Sequence, residues 1–189
     1  MRCAVPEPPV PTARYEAYSH EAMAAEVEQG NDPAAAGEAG ARWEGLAKRL
    51  QESTAGLAAL VASSEESWRG DAGDAARAAL DRATRWLGHS AAVSASVGRA
   101  VGAQAEAAAR ARADMPPPVA YDPAAMIRDA AGSGNVLVLA GLAGDMAARR
   151  AEAEAARQKA IDVLRTRDAA LRAHVPAETF PDPPALGRA

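Results

Sequence analysis

The chain has 189 residues and a formal net charge of -4, which argues against nucleic acid as a partner because nucleic-acid-binding surfaces are normally basic. Its single cysteine, Cys3, excludes an intrachain disulfide and a cysteine-based metal cluster, and its three histidines lie far apart in sequence, so we expect no metal and no cofactor. Hydrophobic residues make up 49% of the chain but aromatic residues only 4%, and the abundance of alanine, the strongest helix former, predicts an all-α fold.

The first predicted element is a proline-rich N-terminal tail at residues 1–12. It contains no apolar stretch of the kind found in secretory signal peptides, so we expect no ordinary signal peptide. A short helix is predicted at residues 13–28. Asp32-Pro33 follows it and is typical of a helix start, because a capping aspartate precedes a proline in the first helical turn.

Two long helices are predicted at residues 34–65 and 71–113, because neither segment contains proline, which is excluded from helix interiors. Each carries apolar residues at three- and four-residue spacing, so the two helices can pack as an antiparallel hairpin. These residues are Trp43, Leu46, Leu50, Leu57 and Leu60 in the first helix and Ala76, Leu80, Ala83 and Leu87 in the second. The second helix carries another apolar stripe, which includes Trp86 and Val93, so it needs two neighbours.

Trp68-Arg69-Gly70 lies in the short break between the two long helices. Gly70 lets the backbone turn without steric cost, and an exposed indole beside it indicates recognition by another protein. A second Trp-x-Gly, Trp43-Glu44-Gly45, lies inside a helical stripe, where its tryptophan is predicted to pack in the core. Only Trp68-Arg69-Gly70 lies at a predicted turn, so the position of the tripeptide, and not the tripeptide itself, indicates recognition.

Asp122-Pro123 starts a short helix predicted at residues 122–131, and a last long helix is predicted at 135–173. This last helix can pack on the hairpin through one of two apolar rows. The first contains Leu139, Leu142, Met146, Ala153, Ala156 and Ala160, and the second contains Ile161, Leu164 and Leu171. The longest apolar run of this helix, residues 136–143, is far shorter than the ~20 residues that span a bilayer. The predicted fold is an elongated antiparallel helical bundle, a long hairpin plus a third long helix, in a domain at 13–173 followed by a mobile, proline-rich tail at 174–189.

No sequence pattern in the chain indicates catalysis: it has no phosphate-binding loop, nucleophile elbow or zinc-binding HExxH motif. The acidic residues around the turn are interpreted as charges that favour a helix N-terminus. They are Glu65, Glu66, Asp71 and Asp74. Basic and acidic residues alternate at 149–168, which predicts a solvated face with ion pairs along the helix. We expect no enzymatic activity.

In the order and lengths of its segments, the chain resembles the helical N-terminal domain of the PPE family, relatives of the WXG proteins exported by type VII secretion in actinobacteria. The resemblance covers residues 13–173. It rests on the turn Trp68-Arg69-Gly70, the break Met115-Pro116-Pro117-Pro118-Val119, the short helix with Ala125-Met126-Ile127, and Gly134-Asn135-Val136-Leu137 before the last helix. Near the N-terminus, Pro6-Glu7-Pro8-Pro9 only approximates the Pro-Pro-Glu signature of the family.

The resemblance implies a non-enzymatic secretion substrate that forms a heterodimer with a small PE-like or WXG-like helical hairpin. The partner would pack on the nine stripe residues of the two long helices, from Trp43 to Leu60 and from Ala76 to Leu87. Trp68 and Gly70 would form half of a composite export signal, the other half being a Tyr-x-x-x-Asp/Glu motif. The tyrosines here are followed four residues later by Ser19, Ala22 and Ala125, so the partner should supply that motif.

The resemblance also implies a route and further partners. A cytosolic secretion chaperone would bind the tip formed by Gly134, Asn135, Val136 and Leu137, and the secretion ATPase would act on the complex. The protein would pass through a cytoplasmic stage and end secreted or on the cell surface. Two alternatives stay open: a secreted self-assembling protein whose helices pair between copies in homo-oligomers or rings, and an adaptor tethered through its proline-rich ends.

Overall fold

The computed structural model describes residues 15–29, 32–64 and 67–185, and this part of the chain forms helices and no strands. A 3-10 helix at Tyr15–Ala17 precedes five α-helices. They are α1 (His20–Glu28), α2 (Pro33–Ser64), α3 (Asp71–Asp114), α4 (Pro123–Gly132) and α5 (Val136–Ala173). The all-α prediction is confirmed. The bounds of α2 to α5 each lie within one residue of those predicted, whereas the predicted helix at 13–28 is divided into the 3-10 helix and α1.

Side-chain caps explain where several helices begin. Asp32 accepts a hydrogen bond from the backbone N–H three residues further on at 3.0 Å, and Asp122 does the same at 2.9 Å. The Ser19 hydroxyl caps α1 in the same way at 3.1 Å, and its extended backbone separates α1 from the 3-10 helix. These short polar side chains satisfy N–H groups that the first helical turn leaves without partners.

The described residues fall into two compact units. The first comprises residues 15–29 and 108–169, and the second comprises residues 32–64, 67–107 and 170–185. The core of the first unit consists of residues from the 3-10 helix, α1, α3 and α5. They are Tyr15, Met23, Val27, Ala111, Ala160, Ile161 and Leu164. Both predicted apolar rows of α5 therefore contribute to this core, one through Ile161 and Leu164 and the other through Ala160.

A polar network inside the first unit joins the 3-10 helix and α1 to α5. The Tyr15 hydroxyl donates to the Asp168 carboxylate at 2.5 Å. The Arg167 guanidinium donates to Asp168 at 2.9 Å and to Glu26 at 2.6 Å. Burial raises the pKa of Tyr15 to about 12, and the hydrogen bond to Asp168 adds to this effect because it needs the phenolic proton.

Replacing Tyr15 with phenylalanine should lower the free energy of unfolding by about 1 kcal/mol at neutral pH, because Asp168 loses one buried donor. The raised pKa means that the native preference for the neutral phenol is fully present below the ordinary pKa of 10 and is lost as pH rises towards 12. Urea unfolding of both proteins, at about pH 8 and about pH 11.5, checks this. The advantage of the wild type should shrink at the higher pH, and a constant difference would contradict the assignment.

Three arginines of α5 depart from the predicted solvated face. Arg149 does pair along the helix, with Glu152 at 2.8 Å. Arg157 and Arg165 instead bind the 3-10 helix region through backbone carbonyls and through the Glu16 carboxylate, and Arg167 reaches Glu26, which is 141 residues away in sequence. Spacing along one helix does not reveal such distant partners.

In the second unit, α2 and α3 run antiparallel and touch backbone to backbone. A Cβ added at Gly40 would lie 3.0 Å from both the Gly98 oxygen and the Gly102 nitrogen. Nearer the turn, a Cβ added at Gly88 would lie 3.8 Å from the methyl group of Thr54. Residue numbers thus rise in α2 as they fall in α3, and glycines allow the closest approach of the two helices.

Residues 174–185 follow α5 as an irregular segment that contacts α2 and α3. The carbonyl of His174 accepts a hydrogen bond from Gln104 at 3.0 Å, and the carbonyl of Pro181 accepts one from the Trp86 indole at 3.0 Å. The Phe180 ring lies 5.9 Å from the Trp43 ring. The segment is therefore without regular structure, as its prolines predict, but it is attached to the helices at several points.

Candidate functional site

The turn that contains Trp68 is held in one backbone conformation. The N–H groups of Ser67 and Trp68 donate to the Ser64 carbonyl at 3.1 and 2.9 Å, and Gly70 has a positive φ of 83° that other residues rarely adopt. A Cβ at Gly73 would lie 2.4 Å from the Trp68 oxygen, so glycine is required there too. The Trp68 side chain is 39% exposed, and the turn presents it to solvent.

Arg77 ties this turn to the first turns of α3. Its guanidinium donates to the Trp68 carbonyl and pairs with the Asp74 carboxylate. The Asp74 N–H in turn donates to the Gly70 carbonyl at 3.0 Å. Asp71 and Asp74 lie in the first turn of α3, where the helix dipole favours negative charge. Glu65 and Glu66, the other acidic residues predicted beside the turn, lie outside the described residues.

The nine stripe residues of α2 and α3 form what we call the α2–α3 face. In the described chain none of them is buried: eight are partly exposed and Leu60 is 48% exposed. The residues are Trp43, Leu46, Leu50, Leu57, Leu60, Ala76, Leu80, Ala83 and Leu87. By contrast Ala47, which lies between Trp43 and Leu50 in α2, is buried. The α2–α3 face thus leaves apolar area in contact with water.

The contacts between the two helices fix which residues of the α2–α3 face lie side by side. The register set by Gly40 with Gly102 and by Thr54 with Gly88 places Leu60 between the levels of Leu80 and Ala83. It places Leu57 between the levels of Ala83 and Leu87. Trp43 lies further from the turn, level with Gly98. The structure therefore brings together the half of the face that is near the turn, while Trp43 belongs to the other end of the helices.

At that other end, sequence reasoning missed the surroundings of Trp43. The indole was predicted to lie in the core, but it is half-buried, and Phe180 from the C-terminal segment packs on it. Trp43 and Leu46 also line a shallow groove bordered by Arg42 and Arg49. A proline-rich segment carries no periodicity that would indicate its contacts. Its single phenylalanine, a large apolar residue among polar ones and prolines, could have indicated that the segment packs on the helices.

The proposed chaperone tip lies in the first unit, where α5 begins. Gly134 has a positive φ of 63°, and the Asn135 side-chain oxygen accepts a hydrogen bond from the Leu137 N–H at 2.9 Å. Val136 and Leu137 are 76% and 80% exposed. Their apolar neighbours Val138 and Leu139 are exposed as well, so the predicted packing row of α5 that contains Leu139 begins at the surface. A run of four exposed aliphatic side chains is typical of an interaction site.

None of the helices in the described part of the chain is both long and apolar enough to cross a membrane. A sequence model of the PPE family matches residues 14–160, more than half of the chain. The chain belongs to the PPE family. The resemblance stated from the sequence is thus confirmed, and no curated protein sequence shows a significant match.

Membership of the PPE family indicates the type of process and the type of partner to which the turn, the α2–α3 face and the start of α5 are relevant. It relates the chain to type VII secretion and indicates a PE protein as the type of partner. The matched region includes the Trp68 turn, the whole α2–α3 face and the exposed start of α5. It stops at residue 160, before the end of α5 and the C-terminal segment that packs on Trp43 and Trp86.

Proposed function

We propose that this PPE protein is a non-enzymatic substrate of type VII secretion that is exported as a heterodimer with a small PE-like or WXG-like helical hairpin. The observation that carries the proposal is the α2–α3 face, nine apolar residues of which none is buried in the described chain. Two helices of a partner laid on α2 and α3 form a four-helix bundle and remove this area from water.

In this arrangement the Trp68 turn is half of a composite export signal. Trp68 is displayed on a backbone held by its hydrogen bonds to Ser64 and Arg77, so a receptor meets it on a defined turn. The partner contributes the Tyr-x-x-x-Asp/Glu half. Because the register of α2 and α3 puts Leu57 and Leu60 near the turn, a helix packed there brings its own end beside Trp68.

The exposed run from Val136 to Leu139 is proposed as the site of a cytosolic secretion chaperone. Gly134 and Asn135 fix the direction in which these side chains leave the turn. Binding during the cytoplasmic stage covers four aliphatic side chains that otherwise promote aggregation. The chaperone then gives way to the secretion ATPase, and the complex ends secreted or on the cell surface.

Charge placed on the α2–α3 face tests the heterodimer. We expect Leu60→Asp to weaken binding of the co-expressed PE-like partner at least about tenfold, because a carboxylate would be buried without a counter-charge. Ala62→Asp is the matched control, since Ala62 is exposed and lies about 160° from Leu60 around the same helix. Co-purification and titration calorimetry measure both variants. Equal binding by the two would contradict the proposed interface.

Light scattering of the chain alone separates this proposal from homo-oligomeric assembly. The same apolar face can pair with a second copy, which is the alternative of a self-assembling secreted protein. A heterodimer subunit should aggregate or self-associate irregularly when it is alone and become a 1:1 complex with its partner. A defined homo-oligomer that persists when the partner is present favours the alternative.

A further inference from the structure

We propose that Trp43 and Trp86 form a binding site for an extended segment in which phenylalanine precedes proline, and that residues 179–183 of the chain itself occupy it. We call this the two-tryptophan site. The Phe180 ring lies 5.9 Å from the Trp43 ring with an interplanar angle of 33°. The next residue, Pro181, accepts a hydrogen bond through its carbonyl from the Trp86 indole at 3.0 Å. Two tryptophans from two different helices thus contact adjacent residues.

The chemistry of the two partners is complementary. An extended, proline-containing chain makes no internal hydrogen bonds, so its carbonyl groups are free to accept, and its conformation is largely set before binding. Trp86 offers an indole N–H that can only donate, and Trp43 offers an aromatic surface. Pro181, Pro183 and Pro184 restrict the backbone around Phe180. Aromatic grooves that bind proline-rich peptides use the same combination of ring contacts and indole donors.

A third contact fixes the point at which the C-terminal segment leaves α5 and begins to follow α3. The Gln104 side chain donates to the His174 carbonyl at 3.0 Å, directly after the end of α5. Six residues separate His174 from Pro181, and they carry the segment along α3 from the Gln104 contact to the Trp86 contact. The segment is therefore attached at its start and at its middle, and its position on α3 is fixed.

Occupancy of the two-tryptophan site has a consequence that rests on the proposed function. Trp43 belongs both to this site and to the α2–α3 face. A partner helix that packs on Trp43, with its axis about 8–10 Å from the axis of α2, needs the indole surface on which the Phe180 ring lies. The C-terminal segment therefore competes with the partner at the end of the face remote from the turn. The apparent partner affinity falls by the fraction of molecules in which the segment is bound.

Hydrogen exchange of the tryptophan indole groups tests the site in the full-length chain. Indole nitrogens are labelled with ¹⁵N, and the three signals are assigned through Trp→Phe variants. We expect the Trp86 indole to exchange more slowly than that of Trp68, and Phe180→Ala to accelerate exchange at Trp86 at least about tenfold without changing Trp68. Val175→Ala, an exposed position in the same segment, is the matched control and should change neither. Exchange at Trp86 that is unaffected by Phe180→Ala would overturn the site.

Partner binding tests the competition separately. Phe180→Ala should bind the co-expressed PE-like partner several-fold more tightly than the wild type, whereas Val175→Ala should match the wild type. If the wild type and Phe180→Ala bind the partner equally tightly, the segment does not compete with the partner. The two-tryptophan site is then judged by the exchange measurement alone. If no variant binds a PE-like partner, the competition falls together with the proposed function, while slow indole exchange at Trp86 still establishes the two-tryptophan site.

Discussion

Replacing Trp68 with alanine is expected to abolish export while leaving the heterodimer intact. The indole is exposed at a turn, so its loss removes a recognition surface and little packing. The backbone of the turn keeps its hydrogen bonds, because Arg77 donates to the Trp68 carbonyl and the Trp68 N–H donates to Ser64, and neither bond involves the ring. The measurement is the amount of the protein in culture filtrate and in the cell, with co-purification of the partner as the second readout.

Ser67→Ala is the matched control for this experiment. Ser67 is exposed in the same turn, and its described hydrogen bond to Ser64 uses the backbone N–H, which alanine retains. We expect normal export of this variant. Wild-type export of Trp68→Ala would remove the turn from the signal. Loss of both export and partner binding would instead assign Trp68 to the heterodimer interface.

Gly98→Ala is expected to lower the free energy of unfolding by about 1–3 kcal/mol, the usual cost of forcing an extra methyl group into a packed contact. The new Cβ would lie 3.0 Å from the Gly40 carbonyl oxygen and 3.0 Å from the Glu44 nitrogen. Both are backbone atoms of α2, so they cannot move aside as a flexible side chain does. The helices must separate, and neighbouring contacts weaken with them.

Gly102→Ala, one turn further along α3, is the control for that result. A Cβ at Gly102 meets nothing within 4 Å, so this substitution should raise stability by about 0.5–1 kcal/mol through the better helix propensity of alanine. Thermal and urea unfolding compare the two variants with the wild type. If both substitutions are stabilising, the backbone contact between α2 and α3 does not limit their approach.

The helices were predictable because their signals are local. Proline marks where a helix cannot continue, and Asp32, Asp122 and Ser19 are capping residues that act within three positions. The division of the first helix at Ser19 was missed because a cap inside a helix-forming stretch is easily read as a helical residue. Ion pairs of Arg165 and Arg167 with the N-terminal part of the chain were missed because they depend on tertiary contacts and not on spacing.

The candidate site was predictable in outline but not in its register. Three- and four-residue spacing tells which side of α2 and α3 is apolar, but it does not distinguish buried Ala47 from the partly exposed Leu46 and Leu50. Ala47 lies four residues after Trp43 and three before Leu50, so it fits the same spacing. Spacing also does not tell which residues of the two helices lie at the same level, since this depends on Gly40 and Gly98. The contact of Phe180 with Trp43 could not be predicted either, because a segment without periodicity gives no indication of the surface it contacts.

Under the proposed export role, the bond from Arg77 to the Trp68 carbonyl couples display of Trp68 to the folding of α3. Arg77 lies in the second turn of α3, so the guanidinium reaches the Trp68 carbonyl only after that helix has formed. An unfolded or partly synthesised chain contains the same tryptophan but displays it in no fixed direction. If a receptor recognises this indole as we propose, it selects molecules in which α3 has already folded, so recognition of the turn also excludes unfolded chains.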